Sequence, residues 1–163
     1  FKPSNRIFIW FSQFKQAIIP HIYIMNIRKL QLSDFDKNLN NLLAQLTESP
    51  EITKTEFQNQ FLNLSDKNLH LVLEKNNKII AYGTIIIDYK FYRNCKNVGH
   101  IEDIVVDKNV RGQGLSKIIL NKLIEYGIKN NCYKFILNCK DEYVNFYKKF
   151  GFNKKQNNMI KYI

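Results

Sequence analysis

Residues 102–120, EDIVVDKNVRGQGLSKIIL, open as an apolar strand, pass two glycines and a run of charge, and close as an amphipathic helix. The chain has only six glycines, and Gly112 and Gly114 both fall at this one junction. A helix that opens off such a turn presents the unpaired N–H groups of its first turn, and its dipole favours negative charge there. Glycine lets the backbone approach an anion with no side chain in between. The junction is therefore a candidate phosphate cradle, and a plain strand-to-helix turn explains the glycines equally well. Neither common nucleotide fingerprint fits. A P-loop needs Gly-Lys-Ser/Thr where Gly114 is followed by Leu115, Ser116 and Lys117, and the dinucleotide pattern needs a third glycine early in the chain.

Working outward, helical spacing over residues 114–130 puts Leu115, Ile118, Ile119, Leu123 and Tyr126 on one face. CYKFILNC (132–139) reads as a short buried strand, and EYVNFYKKF (142–150) as a helix with Tyr143, Phe146, Tyr147 and Phe150 on one face, ended by Gly151. The remaining residues, 152–163, permit a final strand. Upstream, HIEDIVVD (100–107) is a strand reached through a polar connection over 91–99. Two apolar runs, 69–75 and 78–88, are joined at Asn76-Asn77, a pair that tolerates left-handed backbone, and so predict a hairpin. A turn at Ser49-Pro50 precedes a helix from Ile52 or Thr53 to Leu64, and 32–46 predicts another, with Phe35, Leu39, Leu42, Leu43 and Leu46 apolar and Ser33 as N-cap. A strand over 22–29 comes first.

The 163 residues and 19.4 kDa suit one domain, and a hydrophobic fraction of 45% is enough for a core. The formal charge of +11 and pI near 9.5 imply attraction to anions. The basic residues are scattered and form no block of the kind a nucleic-acid surface needs, so no nucleic-acid partner is expected. Cys95, Cys132 and Cys139 are an odd count without a C-x-x-C pair, which points to a reducing, cytoplasmic setting and to neither a disulfide framework nor a zinc site. His21, His70 and His100 lie far apart, and no metal is implied. The first two dozen residues are aromatic and apolar, but Ser12, Gln13, Lys15 and Gln16 interrupt them, so no run approaches the roughly 20 residues of a membrane span. They also lack a small-residue cleavage pattern. We expect a domain over 25–163, with 1–24 an extension of unassigned role.

The spacing in RGQGLS (111–116) resembles the R/Q-x-x-G-x-G/A pyrophosphate loop of the GNAT superfamily of acetyl-CoA-dependent N-acetyltransferases. Ser116 stands where that family prefers Gly or Ala, and a serine is small enough for the backbone role. NFYKKFGF (145–152) is similar to the superfamily's late A-x-x-F-Y-x-x-x-G-F element. Within the superfamily, GHIEDIVVD (99–107), RGQGL (111–115), NCYK (131–134) and FYKKFGF (146–152) most resemble the glucosamine 6-phosphate N-acetyltransferases, with QLTES (45–49) and YKFYRN (89–94) where those have substrate-binding elements. The likeness runs from about Leu30 to the C-terminus.

The resemblance implies an α/β fold of α+β type: a central mixed, mostly antiparallel sheet flanked by about four helices. It implies acetyl-CoA as co-substrate, a small sugar phosphate as acceptor, direct acetyl transfer feeding UDP-N-acetylglucosamine formation, and a homodimer. Arg111, Gly112, Gln113, Gly114, Leu115 and Ser116 would hold the pyrophosphate. Ile104, Val105 and Val106 would lie along the pantetheine and thioester, where the family's strand splays. Tyr143, Val144 and Asn145 fall where the family meets CoA again, Tyr143 replacing an Asn. Tyr147 would be the general acid that protonates the departing sulfur; the alternative is one more packed aromatic. Thr47, Lys90, Arg93, Glu102, Asp103, Ile104, Asn138 and Tyr162 are the substrate positions. Glu102 is a candidate to orient the ammonium or pass its proton to water. Alternation along a strand sends Glu102 and Asp103 to opposite faces, so they are not expected to form a carboxylate pair. Asn138 replaces an acidic residue, leaving its carbonyl for the amine, and Tyr162 replaces an Arg that meets the phosphate. Two other readings stay open: a relative that acetylates a protein N-terminus, lysine or polyamine, which the basic charge disfavours, and a catalytically silent CoA-binding module.

Overall fold

A computed structural model of the chain describes residues 25–48, 50–155 and 157–162. Ser49, residues 22–24 and the expected extension 1–24 therefore lie outside the described residues. The order is β1 (Asn26–Lys29), a 3-10 helix (Leu32–Asp36), α1 (Leu39–Leu43), α2 (Lys54–Leu62), β2 (Leu69–Lys75), β3 (Lys78–Asp88), β4 (Asn97–Val106), a 3-10 turn (Lys108–Val110), α3 (Leu115–Lys129), β5 (Cys132–Ile136), a 3-10 turn (Asp141–Tyr143) and α4 (Val144–Lys148). The five strands lie side by side in chain order. β1 to β4 pair antiparallel, and β5 joins parallel to β4. A parallel neighbour needs a crossover, and α3 is that crossover.

The hairpin forms as the sequence implies, because Asn76 and Asn77 both take left-handed backbone, with φ of 52° and 59°. Apolar residues face both sides of the sheet. On one side Leu71, Leu73, Ala81, Ile85 and Ile101 meet Leu115, Ile119, Leu120 and Leu123 of α3. On the other, Val72, Ile79, Tyr82 and Val105 meet Leu39 and Leu42 of α1 and Phe57 of α2. Thr53 caps α2 reciprocally: its hydroxyl accepts from the Glu56 N–H at 3.2 Å, and the Glu56 carboxylate accepts from the Thr53 N–H at 2.7 Å.

Five expectations are corrected. The helix over 32–46 is broken, because Asn38 takes a left-handed φ of 69° between the 3-10 helix and α1. The first piece is capped through Asp34, which accepts from the Gln31 N–H at 2.8 Å, and not by Ser33. Asp34 is fully buried, held by both terminal nitrogens of Arg28 at 2.6 and 2.7 Å. Arg28 also donates to Glu74 on β2, which takes a further bond from Lys37 at 2.8 Å, so four charges fasten the segment to β1 and β2. On α3, Ile118 is 40% exposed and Leu120 is buried in its place. The helix expected over 142–150 is a 3-10 turn followed by a five-residue α4. Residues 152–162, as far as described, hold no strand, and Met159 and Ile160 stay exposed; an added strand would need a free edge and a core for its apolar residues.

Two further glycines are explained by one ring. A Cβ on Gly99 of β4 would stand 2.8 Å from Phe135 and 2.9 Å from Ile85, and one on Gly127 of α3 would stand 2.2 Å from Phe135. Phe135 of β5 thus seats against backbone from both sides. Gly99→Ala is expected to cost about 1–3 kcal/mol by overpacking, read as a lower denaturant midpoint with unchanged slope.

Candidate active site

β4 carries the chain from the acidic end to the glycine junction. At that junction Gly112 and Gly114 have φ of 80° and 75°, backbone that an L side chain rarely adopts. A Cβ at either would meet nothing within 4 Å, so the glycines are required by conformation and leave open space beside the loop. Gly114 is the N-cap of the fifteen-residue α3, and its carbonyl accepts from the N–H groups of Lys117 and Ile118. Arg111 folds back to donate from Nε to the Val106 carbonyl at 3.0 Å, which shapes the turn. Arg111 and Gln113 are exposed, Ser116 is half-buried, and Leu115 anchors the first turn in the core. The N–H groups of Leu115 and Ser116, the first two of α3, have no intrahelical acceptor, as at any helix start.

Nearer the middle of β4 the sheet opens. β4 and β5 are paired from Asn97–Cys132 to His100–Ile136, after which β5 ends and β4 continues to Val106. The side chains of Ile104 and Val106 serve the α3-side core and Val105 the opposite core, so what remains open over 101–106 is a backbone edge. The other wall of the wedge continues from β5 through Asn138 and Cys139, both exposed, to α4. On α4, Tyr147 packs edge-on against Phe146 at 5.0 Å and Phe152 at 6.1 Å between ring centroids. Its hydroxyl makes no hydrogen bond among the described residues. Burial pushes its pKa up, with the nearby Cys139 thiol and Tyr143 phenol adding to the rise. Tyr147 is thus both a packed aromatic and a phenol with an unclaimed proton. Tyr143 and Asn145 are exposed and Val144 is half-buried.

At the acidic end the strand is irregular. Tyr82 stands opposite Val105 and Thr84 opposite Glu102, so Asp103 and Ile104 together face the single residue Gly83. This is a β-bulge, and Asp103 carries its left-handed backbone, φ 57°. The alternation expected to separate Glu102 from Asp103 is broken there, and their charges act on each other. Burial raises the pKa of Glu102, the Asp103 charge raises it further, and His100 partly offsets both. Burial likewise raises that of Asp103, against the pull of His70. A pair of carboxylates reluctant to ionise together is suited to taking a proton or binding a cation.

The remaining positions fall in two groups. Lys90, after β3, is paired with Asp88, to which His100 Nε2 also comes within 3.3 Å. Arg93 takes a left-handed φ of 51° and sets its guanidinium over the Tyr133 ring of β5, 5.1 Å from the centroid. Lys90 and Arg93 thus both come near Tyr133, at the start of β4 where Asn97 and Val98 pair with β5. Thr47 is exposed just after α1, its N–H on the Leu43 carbonyl. Tyr162 is 87% exposed in the C-terminal segment and joins neither core. Sequence reasoning missed the partners Asp88, His100 and Tyr133, and also His70, Tyr82 and Thr84, which pack beside the bulge; strand register, with His70 opposite Thr84 opposite Glu102, is the signal that finds the latter.

The acetyltransferase (GNAT) family matches residues 27–152, from β1 through α4, and the chain belongs to that family. Among curated relatives it is 40% identical over 141 residues to glucosamine 6-phosphate N-acetyltransferase of Arabidopsis thaliana, covering 83% of this chain and 95% of that one. It is 42% identical over 144 residues to glucosamine 6-phosphate N-acetyltransferase 1 of Dictyostelium discoideum, covering 85% and 91%. The crystal structure of the Arabidopsis enzyme superposes with a TM-score of 0.82 over 85% of this chain and 98% of that one. A Trypanosoma brucei acetyltransferase, 31% identical, gives 0.79 over 86% and 100%. No described helix is long and apolar enough to cross a membrane.

Proposed function

We propose that the chain transfers the acetyl group of acetyl-CoA to the amine of glucosamine 6-phosphate, giving N-acetylglucosamine 6-phosphate and CoA. The observation that carries this reading is the 40% and 42% identity, over nearly whole chains, to enzymes of that name. The site residues suit the co-substrate: the glycine loop leaves room for a pyrophosphate, the open edge of β4 offers backbone groups along a pantetheine arm, and Tyr147 keeps a free hydroxyl. Acetyl-CoA supplies the acetyl thioester. The backbone of 111–116 holds its phosphates, and the unpaired edge of β4 orients the thioester and offers donors where negative charge develops on its oxygen. Glu102 and Asp103 receive the acceptor's ammonium, with the Asn138 carbonyl across the wedge; Glu102 passes a proton from it to water, the free amine attacks the thioester carbon, and the nitrogen's second proton leaves as the C–S bond breaks. Tyr147 hydrogen-bonds the leaving sulfur and gives it a proton. Where bound CoA excludes water, thiolate and phenolate are both poorly solvated, so the raised pKa of Tyr147 does not by itself set the transfer uphill.

The phosphate of the sugar is assigned to Lys90 and Arg93, the fork of Arg93 matching phosphate oxygens. Tyr162 and Thr47 are the outlying substrate positions. We extend the reading to a homodimer, for which the 99% exposed Phe91 beside Lys90 offers apolar surface, and to a reducing cytoplasm, in line with three free cysteines. The product is a precursor for UDP-N-acetylglucosamine.

The reading is tested by free-thiol release from acetyl-CoA with a panel of amines. Turnover with glucosamine 6-phosphate and at least about a hundredfold lower kcat/KM with glucosamine is expected, because a phosphate held by two cations accounts for a few kcal/mol. Equal rates with the two sugars would remove the phosphate site. Turnover with lysine peptides or polyamines alone would move the chain to another acceptor, and CoA binding without any turnover would make it a silent module.

A further inference from the structure

The two cations assigned to the sugar's phosphate are held in different ways. Arg93 lays its guanidinium over the Tyr133 ring and pairs with no carboxylate among the described residues. Lys90 does pair with one: its Nζ sits on Oδ2 of Asp88, the last residue of β3. The same oxygen takes a second contact, from His100 Nε2 at 3.3 Å. His100 stands opposite Ile86, two residues before Asp88, so the strand register brings the imidazole to that carboxylate from β4. The Lys90 bond is the chief cause that holds the Asp88 pKa below the ordinary aspartate value, so the carboxylate is charged throughout the neutral range. A phosphate that comes to Lys90 therefore finds an anion already in its place.

That anion can be exchanged at little cost. Lys90 keeps 28% of its side chain exposed, and Asp88 and His100 keep 33% each. An ion pair reached by water gains little over its hydrated parts. An ionised carboxylate only accepts, so the His100 contact places a proton on Nε2, and Asp88 keeps that donor when Lys90 turns away. We propose that Asp88 is a positioning residue for the acceptor's phosphate, acting through Lys90: it holds the lysine in the empty site, yields it to the arriving phosphate and takes it back as the product leaves. This rests on the assignment of Lys90 and Arg93 to the phosphate. Substrate and product carry the same phosphate, so binding it more tightly lowers KM without raising kcat and slows release. Asp88 remains beside the bound phosphate as a like charge, and its repulsion keeps that group exchangeable.

Two arms test this. In the first, Asp88→Asn keeps an oxygen for Lys90 and His100 and removes only the charge. The KM for glucosamine 6-phosphate falls about tenfold, kcat stays level or falls, and kcat/KM for glucosamine, which has no phosphate, stays within about twofold. The fall in KM shrinks as salt is raised to about 1 M, where the screening length is about 3 Å. A KM that is unchanged or raised, an equal fall for glucosamine, or a fall that salt does not reduce overturns the proposal. In the second arm, glucose 6-phosphate, which offers the phosphate without an amine, is titrated into the chain by calorimetry. Asp88→Asn tightens its binding about tenfold, and adding Lys90→Met abolishes that gain. If Lys90→Met alone leaves binding unchanged, the phosphate assignment and this proposal fall together. If Lys90→Met weakens binding and Asp88→Asn does not tighten it, this proposal falls and the assignment stands.

Discussion

Tyr147→Phe is expected to lower kcat for acetyl transfer about a hundredfold or more while the KM for acetyl-CoA stays within about twofold. The substitution keeps the ring, and with it the edge-on packing against Phe146 and Phe152. It removes only the hydroxyl, which has no hydrogen-bond partner among the described residues, so no buried group is orphaned and stability should not fall. A loss confined to kcat belongs to an interaction made in the transition state. Since burial raises the phenol's pKa, the proton is in place throughout the neutral range, and any alkaline fall in rate that belongs to Tyr147 lies above the ordinary phenol range and vanishes in the variant. An unchanged kcat would reduce Tyr147 to the packed aromatic it also is.

Asp34→Ala is expected to cost about 3–5 kcal/mol of stability, the largest single-residue loss anticipated outside the catalytic groups. The carboxylate is fully buried, so its removal leaves the Arg28 guanidinium partly buried without its main partner and the Gln31 N–H without its acceptor. Burial alone would raise the Asp34 pKa. The bonds from Arg28 and the Gln31 N–H outweigh it, and the net shift is downward. A carboxylate whose folded pKa lies below its unfolded value contributes stability above the unfolded pKa and loses it as pH falls through the folded one. The gap between native and variant chains should therefore be full at pH 7, begin to narrow near the ordinary aspartate value of about 4, and be lost only as pH falls through the lower folded value. Denaturant midpoints down through that range measure it, and a gap that does not change with pH would contradict the charged role.

Much of this was legible in the sequence, for identifiable reasons. The hairpin at Asn76-Asn77, the crossover helix and the glycine junction are local features, set by residues within a few positions of one another. The Rossmann and P-loop alternatives fell on local spacing too. What escaped depended on contacts distant in the chain. The break at Asn38 follows from Asp34 turning inward to Arg28 and away from a helical surface. The bulge at Asp103 is visible only against β3, since one strand read alone obeys alternation, and that error split Glu102 from Asp103. The resemblance names Lys90 as a substrate position but does not show that Asp88 pairs with it and that His100 shares that carboxylate. Tyr147 was undecided between packing and chemistry because its ring packs against the core and the Phe146 and Phe152 rings, while its hydroxyl makes no hydrogen bond among the described residues.

On the proposed reading the stretch 102–120 runs past three tasks in turn, with the acidic bulge at the amine, the open edge of β4 at the thioester and the α3 terminus at the pyrophosphate. Such a layout needs both substrates bound together. The most direct test is an initial-rate study varying acetyl-CoA and glucosamine 6-phosphate together, with CoA thiol and N-acetylated sugar quantified in the same samples. Intersecting double-reciprocal lines and equal amounts of the two products are the expected result; parallel lines, or thiol released without acetylated sugar, would contradict direct transfer at a single continuous site.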